Sequence, residues 1–295
     1  MRRRGISPLQ GNVFVIRDPM FPLYVIRGDR NLLIDCSILA RAREIEDELE
    51  RFLGGEKIDQ VLLTHSHYDH TGACSHLQEK YGFEIVASQR TKEILASDKA
   101  IAFIDGLNQK FKEMLQDRSG LVFSKPHNVR AVMENDVLPL SSSQELEVLE
   151  TPGHTRCSLS FLLKPENILF PGDAAGVMER NGRIKPLFLS SYMQYEASLK
   201  KLMTLNAAVL ALPHNSVVRG ERAVREFLEA SLAETGKLKE KIVCALKRTD
   251  DLASIAEDLL DEEYSAPAIM GPREALLLNV TAMVKSVFYE FVKVP

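Results

Sequence analysis

Apolar and polar residues alternate near the start of the chain. Val13–Arg17 and Leu23–Arg27 read as strands around an Asp18-Pro19 turn, Gly28-Asp29 as a second turn and Asn31–Asp35 as a third strand. The period then lengthens. Within Arg41–Leu53, Ile45, Leu49 and Phe52 recur at i, i+4 and i+7, which predicts a helix ended by Gly54-Gly55. Val61–Thr64 reads as a strand, Gly72–Tyr81 as a helix stopped by Gly82, and Phe83–Ala87 as a strand. A second α/β half follows, with strands at Leu146–Glu150, Ser158–Leu163 and Asn167–Phe170, a helix at Glu196–Leu205 and a strand at Ala208–Leu212.

Two stretches depart from this rhythm. Residues 89–136 read as helical over Glu93–Leu115 and irregular over Ser119–Asn135. Long excursions in compact domains are often functional lids, so an insertion over the site is expected, with Ile101, Phe103, Ile104 and Phe111 turned toward a substrate. Residues 221–295 form a helical region behind a catalytic domain of residues 1–220. Its helices are predicted at Arg222–Thr235, 237–248, 252–261 and 273–293. The last carries Leu276, Val280, Met283, Val284, Val287, Phe288 and Phe291 on one stripe, which suits core packing or a homodimer contact.

Composition narrows the class. With 295 residues, 45% of them apolar, the chain can bury a substantial core. A net charge of −4 without a large basic block argues against nucleic-acid binding by bulk electrostatics; Arg2-Arg3-Arg4 reads as a solvated end. Cys36, Cys74, Cys157 and Cys244 show no CxxC spacing and fit reduced thiols in a cytoplasm. No apolar stretch approaches about 18 residues and there is no signal-peptide core, so a cytoplasmic protein without a membrane span is expected.

The chemistry concentrates in Thr64-His-Ser-His-Tyr-Asp-His-Thr-Gly72. A single histidine is usually a core or surface residue. Here His65, His67, Asp69 and His70 cluster after a strand and beside a glycine. Side chains two apart on an extended segment point the same way, so His65 and His67 can grip one ion. Asp69 and His70 then sit at the turn into a helix. These are too many ligands for one tetrahedral ion, which points to two metals.

This segment resembles the HxHxDH signature of the metallo-β-lactamase superfamily. Asp35 in Leu-Leu-Ile-Asp-Cys, Thr151-Pro-Gly-His-Thr155, Phe170-Pro-Gly-Asp-Ala174, and Leu212-Pro-His-Asn215 followed by Arg219-Gly220 are similar to its other landmarks, in family order across residues 13–220. The resemblance implies an α/β, four-layer αββα sandwich with a helical insertion and a C-terminal helical appendage. It implies that His65, His67 and His154 hold one metal, that Asp69, His70 and His214 hold a second, and that Asp173 bridges them. Asp35 would orient a ligand. The donors suit Zn²⁺, and also Fe or Mn. In related lactonases and thioesterases a tyrosine after the bridging aspartate assists catalysis; Tyr192 and Tyr195 occupy that order here, and Tyr68 lies within the motif. His76 reads as structural and His127 as a surface residue of the insertion. The family's Pro-Gly after the third histidine is replaced by Arg156-Cys157, and its glycine before the last histidine by Pro213.

Single positions narrow the reaction. Asp173 stands where the true β-lactamases of this fold carry Cys or Ser, and His67 stands where flavin-linked oxygen reductases carry Glu. Hydroxyacylglutathione hydrolases share all seven ligands, but their glutathione-binding basic residues have no clear match. These comparisons leave hydrolysis of a small ester, lactone or thioester by a metal-bridging hydroxide, with Asp69 positioning it and relaying a proton. One alternative is a nuclease or phosphodiesterase. It would need the stripe Lys237, Lys239, Lys241, Lys247 and Arg248, which Glu240 and Asp250-Asp251 interrupt. The other is a non-catalytic ligand-binding relative, which the complete ligand set opposes.

Overall fold

The computed structural model describes residues 5–179, 181–264 and 271–293; the Arg2–Arg4 run lies outside them. The first sheet holds seven strands in sequence order: β1 (Gly5–Gln10), β2 (Val13–Arg17), β3 (Leu23–Ile26), β4 (Leu32–Ile34), β5 (Gln60–Leu62), β6 (Glu84–Ser88) and β7 (Val129–Val132). Pairing is antiparallel from β1 to β4 and parallel from β4 to β7. The second sheet contains β8 (Val137–Pro139), β9 (Glu145–Glu150), β10 (Leu159–Lys164), β11 (Ile168–Phe170), β14 (Val209–Ala211) and β15 (Val217–Arg219), ordered 15-14-11-10-9-8. Between β11 and β14 a small hairpin, β12 (Val177–Met178) with β13 (Ile184–Lys185), stands apart from both sheets.

The helices are α1 (Ala42–Leu53), α2 (Tyr68–Thr71), α3 (Cys74–Tyr81), α4 (Gln89–Ala96), α5 (Asp98–Met114), α6 (Tyr192–Met203), α7 (Glu221–Leu246), α8 (Leu252–Tyr264) and α9 (Arg273–Val287). Strand alternation explains how they layer. Along β3 and β4, Leu23, Val25 and Leu33 point into one core with α1 and α3, while Tyr24, Ile26, Leu32 and Ile34 point into another between the sheets. On the second sheet, Phe161, Ile168 and Phe170 face inward, and Leu162, Leu169 and Leu210 meet α6–α9. The result is the expected four-layer αββα sandwich.

Several elements differ from the sequence reading. Val129–Val132, read as irregular, forms β7 and extends the first sheet, so the insertion ends before it. The helices predicted on either side of Gly236 are one, α7. A glycine inside a helix costs about 1 kcal/mol relative to alanine, and burial of Phe227, Leu228, Thr235 and Ile242 offsets it. The run Arg273–Val292 is more apolar than the sequence reading allowed, and by length and composition alone it could cross a membrane. Here it is a core helix on one side: Val280, Met283, Val284 and Val287 are buried against α6–α8.

Candidate metal centre

Strand β4 delivers Asp35, which adopts a φ of 58°. Its Oδ1 accepts from Thr64 N at 2.8 Å, and its Oδ2 accepts from Thr64 Oγ1 at 2.9 Å and His70 Nδ1 at 2.8 Å. The carboxylate thereby ties the loop after β5 to α2 and directs His70 Nε2 toward Asp69 and Asp173, at 3.8 and 3.6 Å. His65 and His67 lie on that loop, and Asp69 and His70 on α2.

The second half supplies the rest. His154 follows β9, and its Nδ1 donates to Leu187 O at 2.8 Å. The preceding Gly153 has a φ of 127°, and a Cβ there would lie 2.2 Å from Tyr195 N. Only glycine lets α6 press this closely on the loop. Asp173 sits in the turn Gly172–Ala175 after β11. His214 follows β14, and its Nδ1 donates to Met20 O at 3.2 Å. The turn bearing Met20 is held by Asp18 Oδ1, which accepts from Met20 N and Phe21 N, and Arg41 pairs with Asp18 at 2.7 Å.

These side chains converge. His154 Nε2 lies 3.2 Å from His65 Nε2 and 3.0 Å from His67 Nδ1. Asp69 Oδ2 lies 3.7 Å from His214 Nε2 and 3.8 Å from His70 Nε2. Asp173 stands between the groups: Oδ2 is 3.2 Å from His154 Nε2, and Oδ1 is 3.2 Å from His214 Nε2. His65-His67-His154 and Asp69-His70-His214 are each compact enough to hold an ion.

Burial dominates the first group. It lowers His65 well below the usual histidine range and pushes His67 and His154 to about 4, leaving their lone pairs available at neutral pH. At His70 burial acts the same way, but Asp35, Asp173 and Asp69 outweigh it and lift the ring well above its usual value. At His214 burial is likewise outweighed, chiefly by Asp173. Burial would raise Asp173, yet His214, His154 and His70 hold it well below the carboxylate range. His70 Nε2 and Asp173 Oδ1 are buried without a hydrogen-bond partner. Unsatisfied buried atoms of this kind, in a nitrogen and oxygen donor set without thiolate, fit a divalent cation of borderline softness.

A cavity of about 290 Å³ opens over the cluster. Phe103 and Leu107 of α5 wall one side, and Ala275, Leu276, Leu278 and Ala282 of α9 the other. Of the residues expected on the lid, Phe103 reaches the cavity. Ile101 and Ile104 pack toward the first-sheet core, and Phe111 packs against Phe21. The expectation for the two later tyrosines is corrected: neither lines the cavity. The Tyr192 hydroxyl donates to Glu196 Oε1 at 3.3 Å, and its ring meets Phe291. Tyr195 is fully buried, and its hydroxyl donates to the backbone oxygen of Asp173 at 3.4 Å. Among the described residues, the tyrosine that lines the cavity is Tyr68, beside Asp69. His76 makes a surface pair with Glu46 at 2.6 Å, away from the site.

The family model described as the metallo-beta-lactamase superfamily matches residues 6–214, more than half of the chain. The chain belongs to the metallo-beta-lactamase superfamily. It is similar to the superfamily's fold-containing protein ST1585 of Sulfurisphaera tokodaii, at 25% identity over 86% of this chain and 90% of that one. It is also similar to the acyl-coenzyme A thioesterase MBLAC2 of Gallus gallus, at 26% identity over 85% and 93%. Among solved structures, the superfamily protein TTHA1429 of Thermus thermophilus superposes with a TM-score of 0.67 at 19% identity, covering 93% of this chain and 92% of that one, a likeness of fold. Superfamily membership makes the coarse class that of a metallo-hydrolase, with His and Asp clusters that could hold metal.

Proposed function

We propose that this protein is a dinuclear metal-dependent hydrolase of a small ester, lactone or thioester. The observation that carries the reading is the apolar wall of α5 and α9 above the ligand cluster. It suits an acyl group. A phosphodiester needs cations beside the metals, and among the described residues Lys185 is the cation lining this cavity, 2.7 Å from Glu179. The thioesterase names of MBLAC2 and of the atrochrysone carboxyl ACP thioesterase of Aspergillus fumigatus support the acyl reading.

His65, His67 and His154 would hold one ion, Asp69, His70 and His214 the other, and Asp173 would contact both. Zinc suits the set, and iron or manganese also fits. When bound, the ions supply a water-derived nucleophile at neutral pH and a Lewis acid for the carbonyl oxygen. Asp35, Leu187 O and Met20 O fix the orientation of His70, His154 and His214. Asp69 borders the cavity, where its carboxylate can take the proton of the attacking water and return it to the leaving group. Burial first, then Asp69 and Asp173, raise the Tyr68 phenol well above its usual value, so it stays protonated and can donate to the developing oxyanion. The apolar walls exclude bulk water.

The test is a screen of zinc- or manganese-loaded protein against chromogenic ester, lactone, thioester and bis-phosphodiester substrates. Acyl turnover that a chelator abolishes and added metal restores is expected. Phosphodiester cleavage without acyl turnover would overturn the reading.

A further inference from the structure

A second cavity, of about 200 Å³, adjoins the first, and Lys185 lines both. Arg183 of the β12–β13 hairpin and Lys237 and Lys241 of α7 complete its basic rim, with Ile184 and Leu238 giving an apolar floor. The helix explains the selection from the lysine run: positions 237 and 241 share one face. Lys239 turns away and lies over the Tyr192 and Phe291 rings, at 5.4 and 5.3 Å.

Carboxylates already stand here. Lys185 pairs with Glu179 at 2.7 Å, Lys237 with Glu234 at 2.6 Å and Lys241 with Glu262 at 2.8 Å. The first pair is buried. In the other two one partner is exposed, Lys237 at 71% and Glu262 at 64%, while Glu234 at 35% and Lys241 at 31% are half-buried, and such solvent-facing pairs contribute modestly to stability. An entering dianion can compete with these carboxylates for the lysines, most readily for Lys237, gaining charge-assisted hydrogen bonds.

We propose that this basic cavity binds the phosphate of the leaving group, so that the substrate is an acyl thioester of a phosphorylated thiol. The inference rests on the hydrolase reading. The acyl group lies under α5 and α9, and the thiol arm passes Lys185 to the basic rim. Water adds to the carbonyl carbon, the C–S bond breaks, and the sulfur leaves carrying one proton of that water.

The experiment compares the metal-loaded full chain on one short acyl group carried by coenzyme A, by glutathione and by N-acetylcysteamine. Lys237→Gln/Lys241→Gln is run alongside, with its fold checked by thermal denaturation. The parent should favour the coenzyme A thioester over the cysteamine one at least about tenfold in kcat/KM, through KM, and added salt should erode the preference. The double variant should narrow that ratio by about tenfold, and coenzyme A should inhibit cysteamine thioester hydrolysis less. Equal kcat/KM on all three carriers, or an unchanged ratio in the variant, would overturn the phosphate subsite while leaving the hydrolase reading standing. An equal preference for the glutathione thioester would overturn the phosphate assignment. Turnover of no thioester would overturn the thioester substrate itself; turnover of esters or lactones alone would show the hydrolase reading surviving that loss.

Discussion

Asp35→Asn isolates what one carboxylate does for the metal centre. Asp35 accepts three hydrogen bonds, from Thr64 N, Thr64 Oγ1 and His70 Nδ1. Asparagine keeps one oxygen for Thr64 N, and its amide can donate to Thr64 Oγ1. It cannot also accept from His70 with that amide. The ring must therefore change tautomer, accept at Nδ1 and carry its proton on Nε2, the atom aimed at Asp69 and His214. Replacing a charge-assisted bond worth about 1.5–3 kcal/mol by a neutral one of about 1 kcal/mol should cost about 0.5–2 kcal/mol of stability. Changes to the partners of metal ligands typically weaken binding about 10–100-fold, or about 1.4–2.7 kcal/mol. Competition titration against a chromogenic chelator reads the two equivalents separately, and urea unfolding of the metal-free protein reads the fold. One equivalent should weaken within that range while the other changes little. Parent-like affinity for both, or equal weakening of both, would refute the role assigned to Asp35.

Asp173→Ala removes the carboxylate between the two groups, so elemental analysis after metal loading should fall from two equivalents to no more than one. Two retained equivalents would exclude a bridging role. Gly153→Ala places a methyl 2.2 Å from Tyr195 N at a positive φ; strain and overpacking together should cost about 3–5 kcal/mol in urea unfolding, and a parent-like midpoint would count against it. Ala282→Phe fills part of the 290 Å³ cavity from α9. It should lower kcat/KM at least about tenfold for the longest accepted acyl chains and spare short ones; an unchanged chain-length profile would remove α9 from the specificity wall.

Much of the sandwich was legible because strands buried on both faces announce themselves as short apolar runs, as at Leu32–Ile34 and Val61–Leu63. His65, His67, Asp69 and His70 stood out because they share one strand end. His154, Asp173 and His214 entered only through resemblance, since their meeting with the first group depends on how the sheets dock. The tyrosines show why order in a sequence is a weak guide to direction. Helix α6 begins at Tyr192, not at Glu196 as the pattern suggested, and that added turn directs Tyr192 to Glu196 and Phe291. β7 was missed because Val-Arg-Ala-Val is too short to display a period, and its pairing with β6 is tertiary. The cavity wall from α9 was missed because its apolar residues occupy more than one face. A stripe predicts burial but cannot say that a second face borders a void.

Gly172 touches Thr64 so closely that a Cβ would lie 2.8 Å from the threonine Cβ. The two halves of the chain therefore meet at the floor of the centre with no slack. His65 and His67 come from one half and His154 from the other; Asp69 and His70 come from one half and His214 from the other. Neither half owns a complete triad. An ion that binds the finished centre thus draws its affinity from the docking of the two sheets, and it returns that affinity as resistance to their separation. Removing the metal should therefore loosen the seam between the sheets before it loosens either sheet.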